Sequence, residues 1–100
     1  MEQETKQEFY NRKVRETEEA IRVTEAEQRS LAQQEGKELI RLSLVQPSLD
    51  EAEEEHLADE IQRRALANKE TISRLGEEIF KLEAQRAYFS HQRDRAAVSG

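Results

Sequence analysis

The sequence predicts an all-α fold, an antiparallel two-helix coiled-coil hairpin, with dimerisation into a four-helix bundle as a further level of assembly. Three observations carry this. Ala, Glu, Lys, Leu and Arg make up 55 of the 100 residues, above the roughly 50% typical of long helices and coiled coils. The only proline, Pro47, lies near the middle. Apolar residues on both sides of it recur in alternating steps of three and four, the spacing of a heptad seam. Disorder is the competing reading for a chain that is 38% charged, but it predicts more than the one Pro and three Gly present.

Helix one is expected over about residues 2–45. Only Gly36 opposes it, and a kink or break is expected there. Acid-to-base pairs at i,i+4 recur along it: Glu2–Lys6, Glu8–Arg12, Glu18–Arg22 and Glu25–Arg29. Acid preceding base is the favourable orientation. Its seam reads Tyr10, Val14, Thr17, Ile21, Thr24, Gln28, Leu31, and weakens where Glu35 and Glu38 take the next positions. Leu39, Ile40, Leu42, Leu44 and Val45 then crowd its end, and with Leu49 and Leu57 they are expected to form a small apolar knot.

The turn is expected at about 46–48. Pro47 disfavours helical geometry at Gln46 and cannot donate to a helical ladder. "SLDE" follows, and Ser48 with Glu51 has the spacing of a capping box. Asp50, Glu51, Glu53, Glu54 and Glu55 fill the first turns of the next helix, where the helix dipole favours negative charge.

Helix two is expected over about 49–97. Asp59–Arg63, Glu60–Arg64, Glu70–Arg74 and Glu77–Lys81 support it. Its seam runs Ile61, Ala65, Asn68, Ile72, Leu75, Ile79, Leu82, Arg86, Phe89, Arg93, Ala96. Laid antiparallel with the turn at residue 48, the seams pair Leu31 with Ala65, Gln28 with Asn68, Val14 with Leu82 and Tyr10 with Arg86. Gln28 and Asn68 would then share a polar layer that sets register at some cost in stability. Thr17 and Thr24 are tolerable in the seam because a threonine hydroxyl can bond back to its own helix. Arg86 and Arg93 are expected to snorkel past it, Arg86 over Tyr10. A parallel, extended dimer of helix two, with Asn68 against Asn68, is the rival topology, but it leaves helix one with a poor seam.

Apolar residues remain off the seam. Leu66, Phe80 and Ala87 share one outer heptad position, with Tyr88 beside them, and Phe9, Val23 and Ile40 lie on outer positions of helix one. This stripe is the candidate contact for a protein partner or a second copy, so the expected function is a non-enzymatic interaction or scaffold module. The alternative is a regulatory finger whose acidic tip engages a basic surface of a larger assembly. Seven acids and no base lie between Gln46 and Ile61, so the net charge of −6 is concentrated there. In this the chain resembles, at the level of fold alone, the acidic-tipped hairpins of cleavage-type transcription factors that enter the RNA polymerase channel. No tip motif of theirs is matched in this sequence.

Chemistry is otherwise sparse. The absence of cysteine excludes disulfides and thiolate sites and fits an intracellular, cytoplasmic setting. Glu53-x-x-His56 has the spacing of a bundle-bound metal motif but occurs once and on the outer face. His91 has no carboxylate or nucleophile in a recognisable arrangement. No phosphate loop or nucleophile elbow is present. No catalytic residue, metal ligand or cofactor is assigned. The acidic balance argues against nucleic acid, and no apolar run approaches the ~20 residues that span a bilayer.

Overall fold

A computed structural model describes residues 3–99 as an all-α helical hairpin. Helix α1 spans Lys6–Val45, a 3-10 turn spans Gln46–Ser48, and helix α2 spans Glu51–Ser99. Glu2, and with it the expected pair to Lys6, lies outside the described residues. The chain divides into two compact units, Ala26–Leu75 around the turn, and the segments up to Glu25 and from Gly76 onward.

Each end of α1 and the start of α2 has a local cause. The backbone N–H of Glu8 donates to Thr5 Oγ1 at 3.1 Å, and that of Phe9 to the Thr5 carbonyl at 2.9 Å. Thr5 is therefore the N-cap of α1, with Glu8 in the capping-box position. Gly36 does not break the helix. Its backbone is not left-handed, and α1 runs through it to Val45.

Within Ala26–Leu75 the turn differs from expectation by two residues. Ser48 belongs to the 3-10 turn, Leu49 is extended (φ −96°, ψ 146°), and the N–H of Leu49 closes onto the Gln46 carbonyl at 3.2 Å. Asp50 is the cap. Its carboxylate accepts from the Glu53 N–H at 2.8 Å, and its carbonyl from the Glu54 N–H at 2.9 Å. The extended step lets Leu49 turn inward, where it lines one cleft with Leu42, Val45, Leu57 and Ile61. The Gln46 side chain reaches Glu54 across the turn. The expected knot forms only in part, because Leu39, Ile40 and Leu44 face outward.

The longer turn moves the register by one seam position. In this unit the Gln28 amide donates to the Ile72 carbonyl at 3.0 Å, where Asn68 was expected as its partner. In the other unit Tyr10 lies beside Phe89, ring centroids 6.4 Å apart, in place of Arg86. Arg86 is exposed. Arg12 and Lys13 lie over the ring of Phe9, 5.2 and 5.6 Å from its centroid.

The seams themselves are where the heptads put them. In α1 the residues at 10, 14, 17, 21, 24, 28, 31, 35, 38 and 42 are all buried or half-buried. In α2 every seam position from Ile61 to Ala96 is likewise, apart from Arg86. Thr17 and Thr24 do bond back to their own helix, each hydroxyl donating to the carbonyl four residues earlier, at 2.7 and 2.8 Å. Glu38 is accommodated by Arg64, which bridges it at 3.5 Å and holds Glu60 at 2.8 Å. Of the described i,i+4 pairs anticipated, Glu60–Arg64 forms as expected. Arg12 turns instead to Glu4 and Glu16, at 3.2 and 2.9 Å, and Arg22 pairs with Glu19.

Candidate interaction surfaces

The hairpin buries little. Among the described residues only Val14, Thr17, Ile21 and Ile61 are buried, and no side chain is fully enclosed. This follows from the geometry, since two helices side by side can each cover only one stripe. What remains apolar is left on the outside.

The unit formed by the segments up to Glu25 and from Gly76 carries Phe80, 74% exposed, and Tyr88, 57% exposed, on α2. Ala84 and Ala87 are exposed between them. Tyr88 also meets Phe89 edge-on, ring centroids 5.6 Å apart, so the seam ring steadies its outward neighbour. Phe9, expected on an outer position, packs edge-on against Tyr10 at 5.2 Å and is partly covered by Arg12 and Lys13. At the same end Lys6, Tyr10, His91 and Arg95 line an open groove. The Arg12–Glu16 pair stands on this unit's surface. Hydrogen bonding to Arg12 holds the Glu16 carboxyl below its usual range, and the bonds to Glu16 and then Glu4 hold the Arg12 guanidinium above its own.

The unit Ala26–Leu75 carries Leu66, 58% exposed, as expected, and also Leu39, Ile40 and Leu44. Leu39 and Leu44 were assigned to the knot alone, whereas Ile40 was also expected on an outer position of helix one. Continuing the three-and-four spacing through Glu35, Glu38 and Leu42 would have placed all three off the seam. Gln28 and Asn68, the expected register pair, are both half-buried. The hydrogen bond of Gln28 goes to backbone, while Asn68 lines a polar groove with Gln34, Glu38 and Arg64.

Two of the five tip acids serve the fold. Asp50 caps α2 and Glu54 receives Gln46. Glu51, Glu53 and Glu55 are exposed in the first turns of α2. Among the described residues no three His, Asp or Glu side chains are placed to hold a metal ion. His56 and His91 are exposed. No helix among the described residues is long and apolar enough to cross a membrane.

Ala84 is a member of the α2 surface that sequence reasoning missed. The signal was there. It lies four residues from both Phe80 and Tyr88, one helical turn each way.

No known protein family, curated protein or solved structure matches this chain.

Proposed function

We propose that the chain is a non-enzymatic coiled-coil module that scaffolds or oligomerises by presenting helix faces to another helical protein or to itself, in the cytoplasm. One observation carries the reading: large apolar side chains, Phe80, Tyr88 and Leu66 foremost, stand exposed on a hairpin that buries only four of its described residues. Ordering a backbone costs about 1–2 kcal/mol per residue, and so small an interior offsets that cost poorly. A second layer of helices would cover these side chains and enlarge the core, as in four-helix bundles. The turn acids support this over the finger reading, because Asp50 and Glu54 are engaged by the fold itself.

The test is association of the purified full chain, followed by light scattering after size exclusion and by helical circular dichroism across concentration. Expected are a mass above that of one chain at high micromolar concentration and helicity that rises with concentration. A monomer whose helicity stays constant over that range would remove self-association from the reading.

A further inference from the structure

The seams and the turn are built on the same step. Both seams advance alternately by three and four residues, so sliding α1 along α2 by one seam position sets seam residue against seam residue again. The turn carries two N-cap signals, Ser48 with Glu51 and Asp50 with Glu53. They lie two residues apart. Each residue by which the fold-back point moves shifts the pairing by two, so exchanging one cap for the other shifts it by about four, which is one seam position.

We infer that the hairpin is a two-register device, in which α1 slides about 5 Å along α2 as the cap of α2 passes from Asp50 to Ser48. The first register is the one described above. It is held by the Asp50 cap, by Leu49 in its cleft, by Tyr10 beside Phe89 and by Gln28 on the Ile72 carbonyl. It also levels buried Val14 with Gln85 and Arg86, both exposed. In the second register Ser48 is the cap and Leu49 enters the first turn of α2. Val14 then meets Leu82, and the amides of Gln28 and Asn68 bond each other, but Tyr10 meets Arg86. Neither register satisfies every layer. Only four of the described residues are buried in the first, so little apolar packing separates the two. A partner that fits one register better selects it, and the slide remakes the turn. The device does not depend on what docks on the hairpin, and it operates in a monomer as in an oligomer.

The chain has no cysteine, so introduced pairs report the register without background, and a minor state of about 0.1–10% is enough to be caught by a disulfide. In the first register Leu82 and Phe89 lie equally far from the level of Val14, about half a heptad each way. Random fraying would therefore close Val14→Cys with Leu82→Cys and Val14→Cys with Phe89→Cys at the same rate. Under mild oxidation of the full chain, scored on the single-chain species, the pair at 14 and 82 is expected to close several-fold faster than the pair at 14 and 89. Asp50→Ala should speed it and Ser48→Ala should slow it, each by about fivefold, the equilibrium shift that an ordinary cap produces. The unit around the turn gives a second set of variants, should the first fold poorly: Gln28→Cys with Asn68→Cys is expected to close ahead of Gln28→Cys with Leu75→Cys. Equal closure in both directions would overturn the second register. Preferential closure that neither cap variant alters would overturn the turn as its switch. Both results would leave the interaction-module reading untouched, since that reading is tested by association.

Discussion

Asp50 decides where the second helix starts. Two overlapping cap signals compete in "SLDEAE", Ser48 with Glu51 and Asp50 with Glu53. The first would put Leu49 in the first turn of the helix. The second leaves Leu49 extended, where it joins Leu42 and Leu57 in one cleft, so burial of a leucine decides between two caps of similar strength. Replacing Asp50 with Ala should therefore cost about 1 kcal/mol, a fall in midpoint of about 4–8 °C for a chain this size. Ser48→Ala should cost far less. Thermal melts of the two variants at one fixed protein concentration check this. A larger loss for Ser48→Ala would return the cap to Ser48. The cap of α1 is simpler, because "TKQE" at Thr5–Glu8 is a single clean signal that sequence reasoning passed over in favour of a start near residue 2.

The elements show which signals are legible in a sequence and which are not. Hydrophobic period was fully legible. Every α1 seam position from Tyr10 to Leu42 is buried or half-buried, and in α2 only Arg86 departs. Register was not, because it depends on how many residues the turn consumes. The 3-10 turn and the extended Leu49 use two more than a cap at Ser48 would, which moves Gln28 from Asn68 to the carbonyl of Ile72. Ion pairing was the least legible, because exposed pairs differ by little and long side chains choose among several acids. Gly36 was misjudged for a related reason. Its propensity cost is real, but helix on both sides and a seam that continues through Glu38 and Leu42 outweigh it. A methyl group there meets nothing within 4 Å. Gly36→Ala should therefore stabilise the chain by about 0.5–1 kcal/mol, raising the thermal midpoint by a few degrees. An unchanged or lowered midpoint would mean that the flexibility of Gly36 is needed where the helix now runs straight through it.

For the whole chain, the claim on which the surfaces depend is that the two helices return alongside each other within one molecule. The contacts that show it are few and specific: Tyr10 beside Phe89 in one unit, and Gln28 on Ile72 with Glu38 on Arg64 in the other. An extended chain pairing with its own copy would expose helix one, because Thr17 and Thr24 would face their own kind in the seam. Spin labels at Arg15 and Arg86, both exposed and both in the same compact unit, separate the topologies. In the hairpin the labels lie within about 30 Å, since neighbouring helix axes are about 8–10 Å apart and label arms add the rest. In an unbroken helix the same two positions would be about 100 Å apart, beyond the range of the measurement. A parallel dimer could still bring labels on different chains together. Dilution with unlabelled chain removes that contribution and leaves the intramolecular one. The expected result is a short distance whose amplitude per labelled chain survives a tenfold excess of unlabelled protein. Its disappearance on dilution would mean that the return strand belongs to another molecule, and that the outer face of α2 has to be assigned again from that topology.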